Sequence, residues 1–343
     1  MSARSRRGRG EEGIALLIVL LTITLLTIIV VEFTQSAEVE MHFAISSRNA
    51  LQAFYLARSG INVGEALLAA DVKINNSDSN EDIWAGPLPP LPVGDGTVAL
   101  RIQDEGRRLN LNGLSGNRAD RRQIFTRLFE VLGADKRVLS AIIDWIDDDL
   151  EPQADPPGAE QPYYLGLTPP VFVRNAPMLT MRELLQVRGM TPTLFGRLEE
   201  LVTVLPKDAP FKVNVNTAPA EVLYALSDNL MANTGVVERL LAARRAAPLK
   251  DVNEVKDVTG FTQALPNYND VLDTKSAYFR IDAVGEVNDV TRGIVTIVGR
   301  GIDIGSKSAL RRITWTPSTA NLSLTSQPAS DFLQTLPPLG GAT

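Results

Sequence analysis

The sequence predicts an α+β protein in which a long N-terminal helix packs on a small antiparallel sheet, and a large all-α segment interrupts the sheet. Three observations predict it. A proline-free, helix-compatible stretch begins at Ile14 and continues to about Ala70. Period-two strand patterns occur at 97–114 and again far downstream, at 278–316. Between them the apolar residues recur with helical spacing instead.

The long helix comes first. Ile14 to Val31 is an unbroken apolar run of 18 residues, softened only by Thr22, Thr24 and Thr27. At ~1.5 Å per residue it is about 27 Å long, close to the ~30 Å hydrocarbon thickness of a bilayer. A core helix of a soluble domain has no need of apolar residues on every face over that length. Arg4, Arg6, Arg7 and Arg9 precede the run, and Glu32, Glu38 and Glu40 follow it. The excess of positive charge places the first 13 residues on the cytoplasmic side and everything after Val31 on the other. A cleaved signal peptide would carry a shorter apolar core ending in a small-x-small site, which Gln35-Ser36-Ala37 fits poorly. Beyond the run, Phe43, Ala50, Phe54, Ala57, Ile61 and Leu68 recur at spacings of three, four and seven. They predict an amphipathic continuation of the same helix, with one face for a soluble domain.

Lys73 to Gly96 is polar and then proline-rich, with Pro87, Pro89, Pro90 and Pro92, and reads as a loop. In Thr97–Asp104 the alternation puts Val98, Leu100 and Ile102 on one side of a strand. Leu109–Leu114 predicts a second short strand closed by Gly113 and Gly116. Downstream, Tyr278–Val287 and Val290–Arg300 predict a hairpin about Asn288-Asp289, and Arg311–Thr316 a further strand. Pro317–Thr343, rich in Ser, Thr, Pro and Gly and nearly uncharged, reads as a disordered tail.

Within the intervening segment, Ile124, Leu128, Phe129, Val131 and Leu132 stripe one helix, and Val138, Ile142, Ile143 and Ile146 the next. Thr180 and Glu183 form a capping-box pattern that opens a helix at MRELLQV, which Gly189 ends. Another helix follows Asn216-Thr217-Ala218-Pro219, with Pro219 suited to its first turn, and Val236–Arg245 makes one more. Asn214 and Asn216 suit turn and cap bonding.

The most chemically loaded stretch is Ile143–Tyr164. Asp144, Asp147, Asp148, Asp149, Glu151, Asp155 and Glu160 place seven carboxylates in 17 residues. Like charges at that density repel unless solvent or a cation intervenes. Oxygen ligands without His or Cys favour calcium over zinc. Asp147, Asp149 and Glu151 have the first, third and fifth spacing of an EF-hand, yet Pro152 stands at the glycine position and Gly158 at the twelfth, so the loop is not one. Asp147 and Asp149, joined by Glu160 through the Pro156-Pro157-Gly158 turn, are the foremost candidate ligands; Asp144, Glu151 and Asp155 follow. A solvated acidic surface is the alternative.

Composition closes off other chemistry. With no cysteine, there is no disulfide framework, thiolate metal site or thiol redox centre. The single histidine, His42, lies on the membrane-proximal helix, which leaves a Ser-His-Asp site without a base in the soluble region. No G-x-S-x-G, Walker A or H-E-x-x-H motif occurs. Net charge is −6, and removal of residues 1–13, with four Arg and two Glu, would make it −8, a poor balance for nucleic-acid binding.

A basic leader ending in Gly13, an apolar helix directly after it and an amphipathic continuation resemble the type IV pilin-like proteins. Pilins of that superfamily usually carry Glu at the fifth mature position; here that residue is Ile18, and the minor pseudopilin GspK family of type II secretion systems resembles this chain in lacking the acid. The run from DWID at Asp144 through prolines to Gly158-Ala159-Glu160 and an aromatic residue is similar to that family's signature, and the resemblance implies calcium binding in the helical domain. The chain departs from the superfamily in having Ile14 where Phe is usual, and Glu11 and Glu12 beside the cut. The stretches TMRELLQVRGM and VNVNTAPAEVLYAL also resemble helix-hairpin-helix modules of competence DNA receptors, but they lack the paired hairpin glycines that let backbone approach a phosphate.

The resemblance implies a type IV pilin-like fold with a helix-hairpin-helix or SAM-like insertion. It divides the chain into a leader at 1–13, the helix at 14–75 with 14–31 in the membrane, a pilin-like domain at 76–115 and 271–316, an inserted domain at 116–270, and the tail at 317–343. It implies cutting by prepilin peptidase between Gly13 and Ile14, N-methylation at Ile14, insertion in the inner membrane with a periplasmic soluble region, and assembly with the minor pseudopilins GspI and GspJ at the tip of a pseudopilus, without catalysis or nucleic-acid binding. A DNA-uptake or type IV pilus minor pilin is the alternative; a calcium-dependent enzyme on a membrane stalk, its paired acids near Tyr163 and Tyr164, is a third reading.

Overall fold

The computed structural model describes residues 9–86, 88–116, 118–301 and 310–318. The first eight residues of the leader and all but Pro317 and Ser318 of the expected tail lie outside the described residues.

Helix α1 spans Arg9–Ile74 without a break, starting before Ile14 and ending beyond Ala70, so the bond between Gly13 and Ile14 lies inside helical backbone. From Gly13 it is long and apolar enough to cross a membrane. Its threonines carry no penalty there, because the hydroxyls of Thr22, Thr24 and Thr27 donate to the carbonyls of Val19, Leu20 and Ile23 at 2.9, 2.8 and 2.8 Å. The amphipathic stripe begins later than its spacing suggests. Phe43 is exposed, whereas Ala53, Ala57, Ile61 and Leu68 are buried.

The sheet that covers this stripe is antiparallel. Strand β1 (Leu91–Val93) lies inside the segment read as loop and pairs with β2 (Gly96–Asp104), with Leu91 opposite Val98. The predicted faces of β2 hold, with Val98, Leu100 and Ile102 turned inward. The order continues through β7 (Tyr278–Val287) and β8 (Val290–Arg300) to β10 (Thr316–Ser318), and β9 (Leu310–Arg312) also pairs with β8. The predicted last strand is thus two short pieces. Asn288 and Asp289, at φ 46° and 66°, make the two-residue hairpin turn between β7 and β8. Helix and sheet approach closely enough that a Cβ on Gly285 would stand 2.1 Å from the Ala53 carbonyl oxygen. Trp84, from the connection after α1, caps the core edge-on against Phe279 at 5.1 Å.

Leu109–Leu114 departs from expectation. Only Leu109–Asn110 is a strand, β3, and it pairs in parallel with β4 (Val202–Thr203) of the helical body instead of joining the main sheet; Leu111–Leu114 is a 3-10 turn. Leu109, Leu111 and Leu114 are buried in the helical core, as is Leu272. Non-local pairing decided this. The body itself begins with α2 (Ala119–Val131) and α3 (Lys136–Ile146), which present the two predicted stripes, and continues through α4 (Gln161–Leu165) and α5 (Pro192–Glu199). MRELLQ forms a 3-10 helix with the predicted Thr180–Glu183 capping box rather than an α-helix. After β5 (Val213–Asn214) come α6 (Ala220–Ala225), α7 (Asp228–Ala232) and α8 (Thr234–Ala246), then β6 (Leu272–Asp273), which pairs in parallel with β5. Pro219 is the N-cap of α6, one position before the first turn.

The body therefore consists of two lobes, each entered through an Asn-x-Asn turn. In the first, Asn112 accepts from the Met178 amide and donates to the carbonyls of Met178 and Leu205. In the second, Asn216 accepts from the Leu249 amide and donates to the Leu249 carbonyl. Asn110 and Asn214 each accept from the amide two residues on, at 3.1 and 3.0 Å. These buried side chains satisfy backbone groups that the short strands leave open.

Candidate metal centre

The acidic stretch is folded back on itself by elements the sequence specifies. Helix α3 ends at Asp147, whose amide still donates to the Ile143 carbonyl at 2.9 Å while its ψ of 172° turns the chain outward. Asp144, one turn earlier, is fully buried, and its Oδ1 accepts from the Gln153 amide at 3.0 Å. The Gly158 amide donates to the Gln153 carbonyl at 2.9 Å, which closes the Pro156-Pro157-Gly158 turn. Gly158 has to be glycine, because a Cβ there would meet Asp144 Oδ2 at 1.8 Å. The turn returns Glu160 to the site, where it also caps α4 by accepting from the Gln161 amide.

One carboxylate oxygen each from Asp147, Asp149 and Glu160 lie within 4.8 Å of one another. Burial is the largest cause pushing Asp147 up to about 7, followed by the charges of Asp149, Asp144 and Glu160. Burial likewise raises Asp144 and Glu160. Six buried side-chain oxygens among the described residues have no hydrogen-bond partner, and five of them are here: Asp144 Oδ2, both oxygens of Asp147, Glu160 Oε1 and Asn175 Oδ1. Buried oxygens without donors are costly unless a cation meets them. An all-oxygen set with three clustered carboxylates fits the chemistry of calcium.

Glu151 and Asp155, candidates by sequence, are exposed and lie outside the cluster; Glu151 enters only through its amide, which donates to Asp149 Oδ1 at 2.9 Å. Asn175 was missed. It holds a φ of 45°, and its Nδ2 donates to the Asp149 carbonyl and to Glu160 Oε2, which leaves its Oδ1 among the unpaired oxygens. Nothing local marks an asparagine 15 residues beyond Glu160 as a neighbour of that loop; only its side-chain contacts do.

A second acidic group, Asp71, Asp78 and Asp82, lies at the end of α1. Protein donors meet each of its carboxylates. Arg300 pairs with Asp71 at 3.5 Å and with Asp78, and Asp82 accepts from the Ser79 amide at 2.8 Å.

With this geometry in place, the comparisons with known proteins are specific. Two family models described as type II secretion system protein K match residues 107–207 and 213–275. Type II secretion system protein K of Aeromonas hydrophila is 30% identical over 318 residues, covering 86% of this chain and 95% of that protein. The chain belongs to the type II secretion system protein K family. Its Pseudomonas aeruginosa relative of the same description is 28% identical and covers 86% of this chain and 90% of the relative. A chain in the crystal structure of the GspK-GspI-GspJ complex from enterotoxigenic Escherichia coli has the same fold, with a TM-score of 0.70 at 20% identity, over 81% of this chain and 99% of that one. The two protein K family matches coincide with the two lobes, one bridged by β3–β4 and the other by β5–β6. The acidic loop falls in the first.

Proposed function

We propose that this chain is a non-enzymatic minor pseudopilin of a type II secretion system, anchored in the inner membrane with its soluble region in the periplasm, where it caps the pseudopilus together with GspI and GspJ. The single observation that carries this reading is similarity over 86% of this chain and 95% of the Aeromonas protein K. The GspK-GspI-GspJ assembly containing a chain of the same fold supports the two partners. The tip position is supported by Ile18. A carboxylate in hydrocarbon costs about 2.5–3.5 kcal/mol on insertion scales, so a subunit with no terminal amine above it is better without one, and position 18 carries isoleucine. The sheet, α1 and the two-lobed insertion correspond in this reading to a pilin-like domain with an interaction domain on top.

Calcium belongs to the same reading. Asp147, Asp149 and Glu160 would hold the ion, with Asp144 Oδ2 and Asn175 Oδ1 as further oxygens. The ion would neutralise carboxylates that otherwise repel, and so clasp the end of α3 to the start of α4.

Co-expression with candidate GspI and GspJ subunits tests the assignment. Full-length chain should co-purify with both, and gold label on it should mark one end of assembled pseudopili. Label spread along the shaft, or no association with either partner, would overturn the tip assignment.

A further inference from the structure

Beside the candidate calcium centre, the first lobe leaves apolar side chains in solvent. Leu150 and Phe172 are 70% and 75% exposed, and Tyr163, Leu165 and Leu167, on α4 and just after it, are exposed with them. Single exposed apolar residues are ordinary, whereas a patch of them marks an interaction surface. Hydrogen bonds hold this patch together. The Val171 amide donates to the Tyr164 carbonyl at 3.1 Å, Gln161 Nε2 to the Val171 carbonyl at 3.2 Å, and the Val173 amide to Gln161 Oε1 at 2.9 Å, so residues 171–173 lie along α4. Val171 and Val173 pack on the helical core, and Phe172 between them is left in solvent. Asn175 Nδ2 donates to the Asp149 carbonyl, which brings the residue before Leu150 to the end of the same segment.

The rim on the Leu150 side is acidic. Asp148, Asp149, Glu151 and Asp155 are all exposed, and no Lys or Arg occurs from Asp144 to Val173; Arg174 is the first cation after them. Cations that reach the stretch from elsewhere are already engaged. Arg188 lies over the Tyr163 ring and donates to the Gly158 carbonyl, and Arg122 donates to Gln153 Oε1. An apolar centre beside an acidic rim complements a partner that carries apolar and cationic side chains together.

Asp149 links this face to the metal centre. Its carboxylate is a candidate ligand, its carbonyl holds Asn175, and Leu150 is the next residue. Without a cation, repulsion among Asp147, Asp149 and Glu160 works against that arrangement.

We propose that Leu150, Tyr163, Leu165, Leu167 and Phe172 form a docking face for a basic, apolar polypeptide segment of another protein, set in place by calcium at the adjoining centre. The dependence on the ion rests on the calcium reading above.

The test uses full-length chain in nanodiscs of zwitterionic lipid, titrated calorimetrically in calcium and in chelator, with empty nanodiscs as reference. The probes are the amidated peptides N-acetyl-Lys-Leu-Lys-Phe-Lys, N-acetyl-Glu-Leu-Glu-Phe-Glu and N-acetyl-Lys-Ser-Lys-Ser-Lys. In calcium the first should bind at least tenfold more tightly than either of the others, and Phe172→Ser, which alters a side chain already in solvent, should weaken it severalfold. Chelator should weaken it to a similar degree. Equal affinity for the basic and acidic peptides, or affinity unchanged in Phe172→Ser, would overturn the docking face. Pairing of loaded nanodiscs that is lost in Phe172→Ser, without peptide binding, would assign the face to a second copy of this chain and overturn it too. Calcium titrated into the same preparation separates the two readings. Calcium heat without peptide heat overturns the docking face and leaves the metal centre standing, whereas peptide affinity that is the same in chelator overturns the part given to the ion.

Discussion

Gly158 presses its Cα against the carboxylate of Asp144, so that any Cβ at 158 would lie 1.8 Å from Oδ2 and 2.6 Å from Cγ. Asp144 cannot retreat, because it is fully buried and tied to the Gln153 amide. Gly158→Ala should therefore destabilise the helical body by about 1–3 kcal/mol, the usual range for overpacking. It should also weaken any calcium binding, since Glu160 is delivered by the same turn. Chemical denaturation that leaves the midpoint within error of the parent would refute the close-approach argument.

Calcium at about a hundredfold excess over Kd should add about 2.7 kcal/mol to the folded state. A chelator should lower the melting temperature accordingly, and Asp149→Ala should abolish most of that difference. Asp149 is exposed and its side chain holds only the Glu151 amide, so its removal costs little else. A melting curve indifferent to chelator, with no heat of calcium binding, would return the loop to a solvated acidic surface.

Asp71 and Asp104 give the seam between helix, sheet and helical body a pH dependence. Burial is the first cause in both, and it pushes each from 3.8 up to about 6. Hydrogen bonds from Asn75 to Asp71, and from Thr217 to Asp104, oppose it without cancelling it. A folded pKa above the unfolded one means the folded state binds more protons, so this stabilisation is complete below about 3.8 and is lost as pH rises through about 6. In chelator, the free energy of unfolding should decline between about pH 4 and pH 7, and Asp71→Asn should flatten the decline. A slope of the opposite sign, or one unaffected by Asp71→Asn, would contradict it.

Gly13 is a test of processing uncoupled from folding, since a Cβ there has nothing within 4 Å. Replacement by a bulky residue should leave the soluble region intact and block removal of the leader. Mass spectrometry settles it: a mature chain still beginning at Ile14 would show that the small residue is not required.

The sequence by itself determined the elements whose signal is local. An 18-residue run interrupted only by three threonines, an Asn-Asp turn between alternating strands, and the two stripes on α2 and α3 each need only a few turns of chain to declare themselves. The carboxylates of the candidate centre were legible for the same reason, as were Pro156-Pro157-Gly158, which return Glu160 to Asp147 and Asp149. Tertiary structure alone decided the rest. Leu109–Asn110 could have joined either body, and its pairing with Val202–Thr203, more than ninety residues away, was set by burial in the helical core. The parallel between Asn112 and Asn216 emerges only when each is seen bonding a distant backbone segment. Asn175 joins the candidate centre because of a left-handed backbone turn that aims its amide at Asp149 and Glu160. Periodicity reports which face of an element is buried, but it carries no information about which other element covers that face, and the oxygens around an ion are chosen by the covering.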